Sequence, residues 1–169
     1  SDVGGLAMNQ DHDKVAGEKP DDRYTATFMI TPPYVAAHTP SGVAPFVEPV
    51  MALRLMFDRD MDQSSFSLVD DIMSFMGPAG PLTPNGYSWV DERTLEIVFE
   101  EQHAPGAYEL VLGPEISDLY GNVIDQNRNL IPGEGVDTYA ATFELVLPIG
   151  GTIRKDTTWS GLLFASNVT

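Results

Sequence analysis

Two stretches of the sequence carry oxygen-bearing side chains at alternate positions, and this spacing is suited to binding a metal ion. The ligand positions of the first stretch are Asn9, Asp11, Asp13, Val15, Glu18 and Asp22. Those of the second stretch are Asp125, Asn127, Asn129, Ile131, Glu134 and Asp137. Calcium takes about six to eight oxygen ligands, and a short loop of alternating Asp and Asn residues can wrap around such an ion. The spacing therefore predicts calcium in both loops, with Val15 and Ile131 contributing backbone carbonyls.

The two predicted sites differ in charge. The first offers carboxylates at Asp11 and Asp13, where the second has the neutral amides of Asn127 and Asn129, so the first is predicted to bind calcium more tightly. Asp118, from the turn before the second loop, would supply a further carboxylate there. Asp- and Asn-rich loops are also common as turns without any metal. Calcium is favoured over this alternative because the pattern occurs twice.

The composition excludes several classes of function. The 169 residues include 25 acidic and 9 basic ones, which gives a net charge of −16. Such a surface repels phosphate backbones and anionic lipid headgroups, so binding to nucleic acid or to a membrane surface is not expected. The absence of cysteine excludes disulfide bonds, thiolate metal sites and a cysteine nucleophile. No apolar run is long enough to cross a bilayer.

A segment at the start of the chain is similar to a segment near its end. Residues 1–30 match residues 117–145, and the two share the runs Gly-Glu and Tyr-x-Ala-Thr-Phe. Such internal similarity indicates a repeated structural unit. It predicts that residues 1–30 end one repeat and that residues 31–147 form a complete one. Residues 148–169 would be a linker or the start of a following β-rich region.

Alternation of apolar and polar residues predicts β-strands in the complete repeat. The alternating stretches are 51–57, 94–100, 108–112 and 139–147. Because Gly- and Pro-rich turns separate them and no convincing amphipathic helix occurs, the predicted fold is all-β, an antiparallel immunoglobulin-like sandwich with a calcium-binding loop. Residues 69–76 are also predicted as a strand, and Asp62 as the cap of a single helical turn. Tyr108 follows a Pro-Gly turn, so its hydroxyl could tie that turn to the strand, or its ring could simply pack in the core.

The end of the complete repeat resembles a family of bacterial immunoglobulin-like repeats that occur in tandem in large secreted and cell-surface proteins. Residues 116–122, 125–134 and 137–143 are similar to the family's runs I-S-D-x-x-G-N, D-x-D-x-D-G-x-x-G-E and D-x-Y-x-A-T-F. Residues 55–62 are similar to its strand and turn V-x-F-N/D-x-x-M/I-D. The resemblance implies a spacer, stalk or adhesion module with calcium in the acidic loop. It also implies neighbouring repeats as partners and an extracellular or bacterial cell-surface location.

No arrangement of residues typical of catalysis occurs, so the chain is predicted not to be an enzyme. Its 3 histidines lie far apart in the sequence. Asp70-Asp71 and Glu100-Glu101 are neighbours on predicted strands and face opposite ways, so neither can act as an acid–base pair. The alternative to a structural role is a calcium-dependent carbohydrate-binding module. Its candidate glycan contacts are Tyr34, Tyr87, Trp89 and Trp159.

Residues 23–30 are predicted to form a strand whose own repeat is otherwise missing from the chain. Its apolar face would consist of Tyr24, Ala26, Phe28 and Ile30. A strand of this kind needs a partner sheet. It could pair within the chain, or it could insert into a neighbouring molecule and so build a fibre by self-association. The sequence leaves both alternatives open.

Overall fold

The computed structural model describes residues 4–18, 22–45 and 49–146. The chain divides into two compact units, Ser1–Ile30 and Thr31–Thr169. In the first unit, the described residues form turns and irregular backbone, and the strands lie in the second unit. The predicted linker at residues 148–169 lies outside the described residues.

Nine strands run through the described part of the second unit. They are β1 (Val35–Thr39), β2 (Gly42–Pro45), β3 (Val50–Phe57), β4 (Ile72–Gly77), β5 (Gly80–Pro81), β6 (Pro84–Trp89), β7 (Thr94–Gln102), β8 (Gly106–Leu112) and β9 (Tyr139–Val146). One sheet has the order β1-β3-β7-β6, and the other has the order β2-β9-β8-β4-β5. Neighbouring strands are antiparallel except β2 and β9, which are parallel. No helix in the described part is long and apolar enough to cross a bilayer.

The two sheets enclose a core that follows from the alternation in the sequence. On β3, Leu53, Leu55 and Phe57 are buried, and the residues between them are exposed. Phe75 of β4 meets Phe99 of β7 edge-to-face across the core, with ring centroids 4.8 Å apart. Burying each such side chain stabilises the fold by about 1.5–3 kcal/mol. The core therefore holds the two sheets together.

The strand order confirms the predicted immunoglobulin-like sandwich. Lettered in chain order, with β2 as A′ and β5 as C′, the sheets read A-B-E-D and A′-G-F-C-C′, which is the division of strands in immunoglobulin domains. The clearly alternating stretches correspond to β3, β7, β8 and β9, and β4 lies largely within the predicted strand 69–76. The predicted helical turn is a 3₁₀ turn over Gln63–Ser65, capped by the Asp62 side chain, which accepts the N–H of Ser64.

Tyr108 has both of the roles that the sequence left open. Its hydroxyl donates a hydrogen bond of 2.8 Å to the Ala104 carbonyl, which ties the turn before β8 to that strand. Its ring stacks on Phe143 of β9, with centroids 4.8 Å apart and planes only 2° apart. Burial raises the pKa of the Tyr108 hydroxyl, so the group remains a proton donor.

The point at which the chain enters the sandwich lies beside the loop that joins β8 to β9. We call residues 31–35 the leading segment and residues 113–138 the long loop. β1 begins at Val35, next to the end of β3. The Asp125 N–H donates a hydrogen bond of 2.8 Å to the Pro33 carbonyl, which brings the long loop against the leading segment. The second acidic stretch therefore lies where the chain enters the domain.

The predicted strand over residues 23–30 is not formed in the structure. None of these residues belongs to a helix or strand, and all of them are exposed, with Phe28 85% and Ile30 73% accessible. A strand requires a partner for its backbone hydrogen bonds, and the described part of the first unit contains no other strand. The described residues therefore show no strand over 23–30, and the pairing of this segment with a sheet outside them stays a prediction.

Candidate functional site

The second acidic loop, residues 125–137, is closed by hydrogen bonds from its own backbone. Asp125 is 2% exposed. Its two carboxylate oxygens accept the N–H groups of Asn129 at 3.1 Å and Leu130 at 2.7 Å. Hydrogen bonds to an ionised acceptor are roughly twice as strong as those between neutral groups. Asp125 therefore fixes the first half of the loop from the inside.

Asp137 closes the other half of the second acidic loop. It is fully buried, and its carboxylate accepts the N–H groups of Asn127 at 3.3 Å and Glu134 at 2.9 Å. The Glu134 carboxylate in turn accepts a hydrogen bond of 2.6 Å from the Asn129 side-chain amide. These contacts join both ends of the loop to its middle.

The alternate asparagines of this loop bind the backbone two residues ahead. The Asn127 side-chain oxygen accepts the N–H of Asn129 at 2.8 Å, and that of Asn129 accepts the N–H of Ile131 at 2.7 Å. Arg128 lies between the two asparagines, and Leu130 follows the second. Their backbone φ values are 60° and 71°. This left-handed region is uncommon for residues other than glycine, so the side-chain contacts hold the backbone in a disfavoured path.

Two further side chains attach the second acidic loop to the leading segment. The Gln126 amide accepts the N–H of Val35 at 2.9 Å and donates to its carbonyl at 3.2 Å. It therefore pairs with Val35 as a residue of a neighbouring strand would. The Arg128 guanidinium lies 3.8 Å from the centroid of the Tyr34 ring, a cation–π contact. Together these contacts fasten the first residues of the domain.

Arg59 holds the leading segment from the other side. Its guanidinium donates to the carbonyls of Thr31 at 2.6 Å and Pro32 at 3.2 Å. It also forms an ion pair of 2.8 Å with Asp58 and lies 3.9 Å from Asp118. The hydrogen bond to Asp58 is the main reason why the pKa of Arg59 lies above its ordinary value. The leading segment is thus held by a permanently charged donor.

The Asp118 carboxylate accepts hydrogen bonds within its own turn. It is 1% exposed, and its carboxylate accepts the N–H groups of Tyr120 at 2.9 Å and Asn122 at 3.0 Å. It also accepts the side-chain amide of Asn122 at 2.9 Å. These bonds place its carboxylate in the turn around it, facing Arg59. It therefore contributes to the fastening of the leading segment through Arg59.

The first acidic loop, residues 9–22, has a similar internal structure. The Asp22 carboxylate, which is 8% exposed, accepts the N–H groups of Gln10 at 2.6 Å, Gly17 at 2.6 Å and Glu18 at 3.2 Å. Burial raises the pKa of Asp22, but the hydrogen bonds from these N–H groups together lower it by more than burial raises it. The pKa of Asp22 therefore lies below its ordinary value. Asp22 thus closes the first loop as Asp137 closes the second.

The alternate positions of the first loop also repeat the pattern of the second. The Asp11 carboxylate accepts the N–H of Asp13 at 3.1 Å, and that of Asp13 accepts the N–H of Val15 at 2.7 Å. His12 and Lys14 have φ values of 64° and 86°, in the same left-handed region as the corresponding residues of the second loop. The similar sequences therefore form similar loops in the two units.

The first loop differs in bringing several carboxylates together. The ligand oxygens of Asp11, Asp13 and Glu18 lie within 4.8 Å of one another, the one such group among the residues that the structure describes. The Asn9 side-chain oxygen is buried and has no hydrogen-bond partner. The structure thus gathers three of the six predicted ligands of this loop into an exposed acidic cluster.

The aromatic residues named as glycan contacts do not share one exposed surface in the described residues. Trp89 packs against a core phenylalanine, with ring centroids 5.8 Å apart. Tyr87 meets a second core phenylalanine edge-to-face, with ring centroids 4.8 Å apart. The Tyr34 ring is covered by an arginine guanidinium. Trp159 lies outside the described residues. None of these contacts favours a glycan site.

The sequence analysis missed Gln126, Arg59 and Arg128, which together hold the leading segment. Their partners lie far away in the chain, so no local motif identifies them. One signal was available for Arg59, because it stands between Asp58 and Asp60 in a chain with only 9 basic residues. A basic residue inside an acidic run suggests a shared ion pair.

Comparison with known proteins shows likeness at the level of structure. No protein-family model and no curated protein matches the chain. PcoC, a methionine-rich copper resistance protein from Escherichia coli, is 12% identical over 68% of this chain and 98% of its own, with a TM-score of 0.47. CopC from Methylosinus trichosporium OB3b is 13% identical over 71% and 99%, with a TM-score of 0.45. Domains 1–6 of the surface layer protein SbsC are 14% identical over 75% of this chain and 15% of that one, with a TM-score of 0.47.

The prediction of calcium in these two loops is not kept. Copper is the metal in the description of PcoC, and it is said of that protein alone. The hydrogen bonds supply a physical reason for the correction, because Asp22, Asp125 and Asp137 use their carboxylates to accept backbone N–H groups. The loops are therefore closed by the chain itself. An exposed group of acidic residues does not identify a metal, and none is assigned to either loop.

Proposed function

We propose that the chain is a structural module of a multi-repeat protein at the cell surface or outside the cell, and that it is not an enzyme. The observation that carries this proposal is the fastening of the leading segment by the long loop and Arg59. Gln126 pairs with the backbone of Val35, and Arg59 binds the carbonyls of Thr31 and Pro32. A spacer requires such a joint, because the direction in which the chain enters each domain determines the course of the array.

The contacts offset most of the free-energy cost of ordering the leading segment. Ordering the backbone of one residue costs about 1–2 kcal/mol. A hydrogen bond to a charged group contributes about 1.5–3 kcal/mol. Arg59 supplies two charged hydrogen bonds to backbone carbonyls, and Gln126 supplies two neutral ones. Their sum is comparable to the cost of ordering these few residues.

The first acidic loop supports a repeated arrangement. It has the same alternate side-chain contacts and the same left-handed residues as the second loop, although it belongs to the other unit. We infer that each loop of this type fastens the start of its own repeat. The resemblance to bacterial immunoglobulin-like repeats supports the same interpretation and suggests the extracellular or cell-surface location.

The parallel pairing of β2 with β9 suits a module held in extension. Gly42 is opposite Phe143, and Pro45 is opposite Val146. A pull through the two ends of the domain acts on these parallel strands in opposite directions. It therefore loads their hydrogen bonds together and does not open them one at a time. A spacer under tension gains resistance to unfolding from this geometry.

Force spectroscopy on the full chain, held at both ends, tests the proposal. Replacing Gln126 by alanine removes both hydrogen bonds to Val35, so the force at which the second unit unfolds is expected to fall. Gln10→Ala is the matched control, since Gln10 occupies the corresponding position of the first loop and its loss leaves the second unit intact. An unfolding force unchanged by Gln126→Ala would contradict the proposed fastening.

A further inference from the structure

The edge strands of the two sheets differ in how far their outer sides are covered. On β1, the Gln126 side chain pairs with the Val35 backbone. The His38 ring also joins β1 to the Tyr139 hydroxyl of β9. β2 and β5 have only four and two residues, and each ends in a proline, which donates no backbone hydrogen bond. β6, with six residues, is the longest edge strand that the described residues leave open.

The register of β6 shows which of its backbone groups face outward. The Val90 N–H, just after the strand, donates a hydrogen bond of 2.8 Å to the Thr94 carbonyl, and the pairing with β7 continues in the same register through Ser88. Hydrogen-bonded and non-hydrogen-bonded pairs alternate in an antiparallel ladder. The N–H and C=O of Ser88 therefore bind β7, whereas those of Tyr87 and Trp89 point away from it. The described residues supply no hydrogen-bond partner to these four outward groups.

Only the start of β6 is protected against pairing with a further strand. It begins with Pro84, and the register shifts between Pro84 and Gly86, so that Asn85 is the extra residue of a bulge. Prolines and bulges are two of the devices that keep sheet edges from pairing. The open stretch of the edge therefore runs over residues 86–90.

The open stretch 86–90 carries no charge, although the chain has a net charge of −16. Two copies of such a chain repel each other wherever acidic surfaces meet, and an uncharged edge avoids that repulsion. Glu96, which lies opposite Ser88 on β7, is itself paired with Arg54 at 2.7 Å. A partner must bring an equally open and uncharged edge, and a second copy of the chain brings one in its own β6.

We propose that two copies of the chain pair through β6, antiparallel about a two-fold axis at Ser88. In this register Tyr87 of each copy forms a hydrogen-bonded pair with Trp89 of the other, so the outward groups of both copies are satisfied. Val90, which is 51% exposed, then faces Gly86 of the other copy, where the space that a Cβ would occupy is open. The two four-stranded sheets become one sheet of eight strands, and the two-fold axis limits the assembly to a dimer. The proposal goes beyond the structural role, because it names a lateral partner for the module.

Charges placed at Ser88 test this pairing. Ser88→Glu and Ser88→Lys each bring two like charges face to face at the axis, which disfavours the pair. Sedimentation of the full chain at about 0.15 M salt, which screens the net charge, should show wild-type dimers. Either variant should raise the dissociation constant at least about tenfold. An equimolar mixture of the two variants should restore the dimer, because opposite charges then face each other. Thr142→Lys, at an exposed position of the other sheet, is the matched control and should leave the dimer unchanged.

A cysteine at the axis tests the register, since the chain has no cysteine of its own. Ser88 would face its own copy in a non-hydrogen-bonded pair, with Cα atoms about 4.5 Å apart, which is within the range of a disulfide. Ser88→Cys should therefore form a covalent dimer under mild oxidation. Tyr120→Cys, at a position that is 89% exposed in the long loop, should stay monomeric under the same conditions.

Three results would overturn the proposal. The first is a wild-type monomer at about 1 mM, a concentration that reveals even a millimolar dissociation constant. The second is a dimer that Ser88→Glu leaves intact, and the third is growth into fibres, since a two-fold pair is closed. Ser88 is exposed, so the melting temperature of each variant should match that of the wild-type monomer, which separates loss of pairing from loss of folding. The pulling experiment on Gln126 remains readable in every case, because it measures the fastening of the leading segment within one chain.

Discussion

Replacing Asp125 by alanine tests whether hydrogen bonds close the second acidic loop. The change removes the acceptor of the Asn129 and Leu130 N–H groups from a site that is 2% exposed. Asn129 retains a second acceptor, the Asn127 side-chain oxygen at 2.8 Å, whereas Leu130 loses its 2.7 Å bond. Because a hydrogen bond to a charged acceptor is worth about 1.5–3 kcal/mol, we expect the free energy of unfolding to fall by about 2–3 kcal/mol.

Urea unfolding of the full chain in excess chelator measures this loss. At about 4 °C per kcal/mol for a domain of this size, the melting temperature should fall by about 8–12 °C. Asp125→Asn keeps one acceptor oxygen and should lose about half as much. Asp11→Ala, in the first loop, is the control and should leave the unfolding of the second unit unchanged. If the free energy of unfolding of Asp125→Ala is within about 0.5 kcal/mol of the wild-type value, the reasoning is refuted, since changes that small are typical of sites without specific contacts.

Three further changes probe other parts of the domain. Tyr108→Phe removes the bond to the Ala104 carbonyl and should lower the free energy of unfolding by about 1 kcal/mol in urea titration, with the ring stacking retained. Burial raises the pKa of Asp71, so its ionisation opposes folding: the contribution of this one carboxyl to stability is fully present below its pKa in the unfolded chain and is lost as the pH rises through the raised pKa. Asp71→Asn should therefore raise the melting temperature at pH 7 and change it little near pH 3. Gly133→Ala should destabilise by about 1–3 kcal/mol, measured in the same titration, because φ is 79° there and a Cβ would lie 2.9 Å from Val123.

Much of the fold could be predicted from local patterns. β3, β7, β8 and β9 each alternate over five or more residues with buried apolar side chains on one face, so their periodicity is unambiguous. The short strands β2 and β5 have four and two residues, too few to show a period. Residues 23–30 have the alternation of a strand, but the described residues of the first unit supply no sheet for it, so this strand stays a prediction.

The candidate site was predictable only in its local part. The spacing of Asp125, Asn127 and Asn129 correctly located a loop built by its side chains, but it did not reveal whether their oxygens face a metal or the backbone. Both arrangements use alternate Asp and Asn residues. The fastening of the leading segment depends on Gln126 and Arg59, whose partners are set by the tertiary fold. Gln126 has no signature within its own stretch of sequence, and Arg59 has only its position between Asp58 and Asp60.

The two acidic loops illustrate how a chain without disulfides can stabilise a joint. Buried carboxylates accept several backbone N–H groups each, and these charge-assisted bonds hold a path that includes left-handed residues. Arg128 then connects the second loop to Tyr34 at the start of the domain, and Arg59 binds the Thr31 carbonyl from the other side. The leading segment is therefore held in place by a few charged side chains within an acidic chain.

Hydrogen exchange on the full chain in excess chelator tests the central claim, that the long loop fastens the leading segment through its own hydrogen bonds. The amides of Val35, Leu130 and Glu134 donate to Gln126, Asp125 and Asp137, and all three should exchange slowly. Gln126→Ala should accelerate the exchange of Val35 and leave that of Leu130 unchanged. Rapid exchange of all three amides in chelator, with protection appearing only when a metal is added, would contradict the account.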